Sequence, residues 1–240
     1  MRYPLSQKYD LDWVLENTMG PNVLWGTEAL SEVMKLAPGM RVLDLGCGNA
    51  ISSIFLAKEF SVEVWAADLW IKPTENWERV IDAGLENRVH PIYAEARALP
   101  FAHDFFDAIV SIDSYHYYGT DVHYLEYILA YLKRGAQIGI VSPASPVEIP
   151  TPPPDHLGNE WNEWYWMNSV DWWARHWGRN PGIAVERCEA VLQGWESWVR
   201  YHELMIERGV GGESAASEHK TLLADQGRYM GFVRMVGRRA

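Results

Sequence analysis

The run RVLDLGCGNA at 41–50, followed by VEVWAADLW at 62–70, constrains the fold more than any other part of the chain. Val42, Leu43 and Leu45 form a short apolar run suited to a parallel strand buried on both faces. Gly46 and Gly48 follow it, and without Cβ atoms they let a ligand approach the main chain. A helical stretch at 51–58 would aim its free N–H groups and positive dipole end back at that ligand. The second strand ends in Asp68, at the spacing expected of a carboxylate that grips a ribose. A strand, a glycine turn, a helix and a second strand ending in an acid describe a nucleoside site.

The residues around the glycines narrow the nucleoside. A dinucleotide fingerprint needs Gly or Ala at the sixth position counted from Gly46, but Ile51 stands there, too large for close approach of pyrophosphate and helix. Asp44, just before the first glycine, would repel a pyrophosphate and suits a cationic ligand such as the amino group of a methionine moiety. These residues favour S-adenosylmethionine over NAD.

With those residues in view, the chain resembles the class I S-adenosylmethionine-dependent methyltransferases. VLDLGCGNA at 42–50 looks like their first motif, with Ala50 where a third glycine is usual. YAEARALPF at 93–101 is similar to the segment that brackets adenine, with Glu95 where Asp is more frequent. FDAIVSIDSYHYY at 106–118 resembles the fourth strand and the turn bordering methyl transfer, and LKRGAQIGIV at 132–141 the fifth strand. The resemblance spans roughly 23–141 with its motifs in order. It implies cofactor contacts from Asp44, Gly46, Cys47, Gly48, Asp68, Leu69, Ala94, Glu95, Ala96 and Asp113. Product S-adenosylhomocysteine goes with that assignment.

Helical stretches at 10–17 and 27–36 precede the first strand, and strands near Arg41, Val62, Val89, Ala108 and Gln137 alternate with helices. Alternation of this kind implies a parallel sheet covered on both faces. Stretches at 182–188 and 229–236 read as strands around a helix at 195–208, and by resemblance complete a Rossmann-like α/β sheet of seven strands, mostly parallel with the last antiparallel. The expected organisation is a single domain over 1–240: a helical cap at 1–37, a cofactor-binding core at 38–142, a Pro- and Trp-rich insertion or lid at 143–180, and terminal strands and helix at 181–240.

The net charge of −11 opposes attraction to phosphate backbones, so a nucleic-acid substrate is disfavoured. Cys47 and Cys188 form no metal-type pair, and no second and third carboxylate stand where a metal site would need them, so no metal is expected. The N-terminus lacks the apolar core of a signal peptide, and no apolar run approaches the roughly 18–20 residues of a membrane span. A cytoplasmic protein, monomeric or homodimeric and without a membrane partner, is the expectation.

After the fifth strand, SPASPVEIPTPPPDH at 142–156 breaks regular structure, since each proline fixes φ and removes a donor. The aromatic stretch that follows divides in two. Ser169 is placed to cap a helix whose Trp173 and Trp177 share one face, as core packing requires. Trp161, Trp164 and Tyr165, interleaved with Glu160 and Glu163, suit a lid that holds an ammonium ion by cation–π attraction. Tyr9 and Trp25, before the first motif, and Tyr117, beyond the fourth strand, complete the candidate substrate contacts.

Catalysis here asks chiefly for alignment of a nucleophile with the sulfonium methyl and, where needed, removal of a proton. Asp113, Tyr115 and His116 are the candidates by motif position, His116 because its intrinsic pKa of about 6.5 suits a base near neutral pH. The N-terminal aromatic segment and the order Asp, Tyr, His are similar to phosphoethanolamine and other small-amine N-methyltransferases; the chain equally resembles ubiquinone-biosynthesis C-methyltransferases. The favoured acceptor is an amine nitrogen of a small molecule, with O-, C- or S-methylation, or cofactor binding without chemistry, as alternatives.

Overall fold

The computed structural model describes residues 3–21, 23–157 and 166–240. Trp161, Trp164 and Tyr165 lie outside the described residues. One sheet of seven strands organises the rest: β1 (Arg41–Leu45), β2 (Glu63–Asp68), β3 (Val89–Tyr93), β4 (Phe106–Ile112), β5 (Leu132–Ala144), β6 (Ile183–Ala190) and β7 (Gly231–Arg239). Their order is β3-β2-β1-β4-β5-β7-β6, with β7 antiparallel to both neighbours and β1 to β5 parallel. The order reverses between β1 and β4, the point where open α/β sheets form a crevice beyond their carboxyl ends.

Alternation along β1 shows how the sheet is buried. Leu43 and Leu45 join a cluster with Tyr115, Trp173 and Trp177 on one face, whereas Val42 joins Leu30, Ile54 and Val64 on the other. Helix α3 (Ile51–Phe60) packs on that second face, its Phe55 and Leu56 buried. Helix α4 (Pro73–Asp82) starts with proline at its first position, where the missing N–H costs nothing.

The N-terminal part holds α1 (Leu11–Asn17), capped by Asp10, whose carboxylate accepts from Trp13 N–H at 2.8 Å. It is followed by α2 (Val23–Ser31). The second helix begins and ends earlier than the apolar pattern predicts: beyond Ser31 the chain is drawn off the helical path, and Lys35 N–H donates to the side chain of Gln137 on β5. After α5 (Tyr124–Leu129) and β5 comes α6 (Val170–Gly178), where Ser169 accepts from Trp172 N–H at 3.0 Å and Trp173 and Trp177 are fully buried. Those two tryptophans are core, as their spacing predicts.

Between β6 and β7 the sequence reading gives one helix, but the structure has two, α7 (Gly194–Glu207) and α8 (Gly212–Asp225). They form a hairpin turned at Gly209 and Gly211, both at positive φ. Among the described residues no helix is long and apolar enough to cross a membrane.

Candidate functional site

The carboxyl ends of β1, β2 and β4 open onto a cavity of about 310 Å³, closed on its outer side by Asn17, Met19 and Val23. Its wall includes Gly46, Cys47, Gly48, Asp68, Leu69, Ala94, Glu95, Ala96 and Asp113, so most of the sequence-predicted cofactor residues are brought together.

The glycines act by steric clearance. Gly46 has φ +73°, and a Cβ there would stand 1.9 Å from Ser114 Oγ. Its N–H and that of Cys47 donate to Ala67 O at 2.9 and 3.1 Å, and Gly48 N–H donates to Asp68 Oδ2 at 2.8 Å. These amides therefore fasten the loop to the end of β2 and do not point at a ligand as free donors. Ala50 adopts φ +59°, a left-handed position that explains why a glycine is usual there.

Asp68 accepts from Gly48 N–H, from Trp70 N–H at 2.7 Å and from Ile71 N–H at 2.9 Å. An ionised carboxylate offers about four acceptor sites, so one remains for a ribose hydroxyl. Asp44 does not line the cavity. It is fully buried beneath the glycine loop, where Oδ2 accepts from Ser52 Oγ and Ser53 Oγ, both at 2.6 Å, while Oδ1 has no partner. Burial pushes its pKa up to about 6 against the two serine donors, with the Asp68 charge adding to the rise. Its charge reaches the cavity only across the loop. The Cys47 thiol is likewise held well above its ordinary range by burial and by the charges of Asp44 and Asp68.

Several cavity residues carry no signal in the sequence. Asn76 on α4 donates to Gly48 O at 2.8 Å, Arg79 Nε donates to Asn17 Oδ1 at 2.7 Å, and Asn49 Nδ2 donates to Asn17 O at 2.8 Å. This polar clamp fixes the glycine loop to α4 and to the end of α1. Tyr118 faces the cavity from the turn after β4, its hydroxyl bonded to Ser111, Ser114 and Leu45 O. At the rim, exposed Trp70 meets exposed Tyr117 edge-on at 5.6 Å, and Arg97 donates to Tyr117 O and Glu95. Asn17, Asn76 and Arg79 lie in no motif, and Asn49, Trp70, Arg97 and Tyr118, though inside motif segments, gain these partners only from the fold.

The catalytic candidates separate. Tyr115 is fully buried among Tyr118, Tyr124, Trp173 and Trp177 and does not line the cavity. His116 is 4% exposed and stands behind Tyr117, its ring stacked on Trp166 at 4.2 Å and Nδ1 bonded to Ser142 Oγ at 2.8 Å. Burial lowers its pKa to about 3, which leaves the imidazole neutral and weakly basic near neutral pH. Tyr9 is also away from the cavity: its hydroxyl donates to Glu59 and its ring packs on Phe55. Trp25 stacks on Tyr3 at 6.3 Å beside Asp113, across from the cofactor cleft.

Asp113 remains at the centre. It takes φ +54°, a left-handed conformation tolerated by Asp, and its N–H donates to Val141 O at 2.8 Å. Gly20 packs so closely on the carboxyl that a Cβ there would lie 1.9 Å from Oδ2. Among the described residues no Lys or Arg pairs with it. Burial, and then the charge of Glu218, hold its pKa well above the usual carboxylate range.

This geometry fits S-adenosylmethionine: a loop cleared of Cβ atoms, a ribose acid with a free acceptor site, and an apolar bracket at Leu69, Ala94 and Ala96. Sequence comparison agrees. Residues 42–135 match the methyltransferase domain family. Over that stretch, which is the cofactor-binding core, the chain is similar to the class I S-adenosylmethionine-dependent methyltransferases.

Among individual relatives, it is 29% identical over 115 residues to 27-O-demethylrifamycin SV methyltransferase of Amycolatopsis mediterranei, covering 48% of this chain and 42% of that protein. It is 32% identical over 106 residues to demethylmenaquinone methyltransferase of Mycobacterium marinum, covering 44% and 41%. The match thus spans less than half the length of these relatives. Among solved structures, phosphoethanolamine N-methyltransferase 2 of Haemonchus contortus, in complex with S-adenosylmethionine, superposes with a TM-score of 0.78 at 16% identity, over 100% of this chain and 58% of that one. Geranyl diphosphate C-methyltransferase of Streptomyces coelicolor gives 0.70 at 17% identity, over 89% and 78%.

Proposed function

We propose that the protein transfers a methyl group from S-adenosylmethionine to an amine nitrogen of a small molecule, within a single domain whose N-terminal part caps the cofactor. When bound, S-adenosylmethionine supplies an electrophilic methyl on its sulfonium. Asp68 would take the ribose, Leu69, Ala94, Glu95 and Ala96 the adenine, and Gly46 and Gly48 the close approach of the methionine portion. Asp44 is a positioning residue under the loop.

The observation that carries the choice of acceptor is the Asp113 carboxyl, without a basic partner among the described residues and walled into the end of the cofactor cleft. Such a group is stabilised by a cation, so an ammonium is its natural complement. Its raised pKa also suits it to take the proton that an amine must lose before attack. That role falls to Asp113 rather than to His116 or Tyr115, which support the turn from behind.

The test is S-adenosylhomocysteine release from protein incubated with S-adenosylmethionine and separate pools of small amines, phenols, thiols and acids. Turnover with the amine pool, reduced at least tenfold in Asp113→Asn while cofactor binding persists, is the expected result. Turnover confined to another pool overturns the amine acceptor. Asn keeps the left-handed turn accessible, so this variant separates the charge from the fold.

A further inference from the structure

Asp113 and Ile112 belong to two cavities. Besides the cofactor cleft they wall a second space of about 30 Å³ beneath α7, enclosed mainly by Tyr3, Trp25, Val141, Trp198 and Phe232. Resting on the reading of Asp113 as the amine's anchor, we infer that this cavity receives the carbon chain of the acceptor, so that the substrate is an alkylamine with about one or two apolar carbons beyond the one that bears the nitrogen.

Position argues for it first. The cavity meets the cofactor cleft at the one turn where methyl transfer would take place, so an acceptor whose nitrogen lies at Asp113 has its substituent directed there. Chemistry argues next, since the wall is mainly aromatic and aliphatic and Asp113 is its single carboxylate among the described residues. Size sets the limit: roughly 150 Å³ accommodates the six carbons of a benzene ring, so about 30 Å³ has room for about one or two.

The wall is also built with care that a packing gap does not need. Trp198 is buried, and its indole N–H donates to Glu218 Oε1 at 2.7 Å. Glu218 Oε2 lies 3.4 Å from His202 Nε2, and His202 Nδ1 bonds Trp198 O at 3.1 Å. The ring is thereby held in one orientation from the far side by a network that spans α7 and α8. On the opposite wall, Gly26 leaves room that a Cβ would take, 3.1 Å from Ile112 Cγ2 and 3.6 Å from Val141 Cγ1.

The experiment is calorimetric titration of S-adenosylhomocysteine-saturated protein with methyl-, ethyl-, n-propyl-, n-butyl- and n-hexylamine, and with the alcohols of the same chain lengths. Burying one methylene raises affinity about fourfold. The expected result is that rise along the amines, ending at ethyl or propyl. Ser197→Leu on α7 and Gly26→Ala on α2, which fill the cavity from opposite walls, should each flatten the series from ethyl upward and leave methylamine and S-adenosylhomocysteine affinity unchanged. A rise seen only with alcohols would keep the cavity and overturn the amine. Amines bound without dependence on chain length, or with a dependence that neither variant alters, would overturn the cavity and keep the amine. Binding of no member of either series overturns the inference.

Discussion

At the scale of single residues, the buried carboxylate of Asp44 sets the sharpest expectation. Its folded pKa of about 6 lies above the ordinary 3.8, so the fold favours the protonated form. The associated stability is complete below about pH 4 and is lost as pH rises through 6. With about 1.4 kcal/mol per pKa unit, the loss is on the order of 3 kcal/mol. In Asp44→Asn that component is absent, so the stability of wild type relative to the variant should fall by about this amount between pH 4 and pH 7 in the absence of cofactor. Urea unfolding at a series of pH values measures it, and a flat difference would contradict the placement. The motif marks Asp44 as a cofactor-contacting acid, but the sequence does not say that Ser52 and Ser53 would draw its carboxylate under the loop and out of the cavity wall. That depends on the first turn of α3 folding back over β1. His116 illustrates the same limit: its chemistry suits a base, yet stacking on Trp166 and burial remove the basicity.

At the scale of elements, the glycine loop keeps its shape because two neighbours hold it. The end of β2 engages the amides of residues 46–48, and α4 engages the Gly48 carbonyl through Asn76, which is 1% exposed. Removing that side chain leaves a buried acceptor unsatisfied, at a cost of about 1–3 kcal/mol. Asn76→Ala is therefore expected to lose stability in that range and to weaken S-adenosylhomocysteine about tenfold, read by thermal unfolding and calorimetry. Full cofactor affinity in the variant would mean that β2 suffices. Strands β1, β2 and β4 are legible in sequence because each is a short, largely apolar run ended by glycine or acid. Helix α4 follows from the alternation of strands and helices, whereas α8, polar over much of its length, lacks the continuous apolar stripe that marks a buried helix. Their contributions, Asn76, Arg79 and Glu218, are polar side chains at unremarkable positions, which acquire meaning only through the residues they meet.

For the whole molecule, cofactor binding and folding should be one linked equilibrium. The cleft joins the cap at Asn17 and Met19, the glycine loop, the end of β2 and the turn after β4, none of which retains its geometry in an unfolded chain. A ligand that binds only the folded state stabilises it by about 2.7 kcal/mol at a hundred times its Kd. For a chain of 240 residues each kcal/mol shifts Tm by roughly 2–4 °C, so saturating S-adenosylhomocysteine should raise Tm by about 5–10 °C. NAD at the same concentration should raise it by less than about 1 °C, because Ile51 occupies the place where a pyrophosphate would need a small residue. Asp68→Ala should abolish most of the S-adenosylhomocysteine shift by removing both the acceptor proposed for the ribose and the brace on Gly48 N–H. S-adenosylhomocysteine carries no net charge near neutral pH and releases no condensed counterions, so the shift should vary little between about 50 and 200 mM salt, unlike the steep salt dependence of a nucleic-acid ligand. Differential scanning fluorimetry of wild type and Asp68→Ala with each nucleotide decides the matter. Equal shifts with both nucleotides, or an undiminished shift in the variant, would place the nucleoside somewhere other than this cleft.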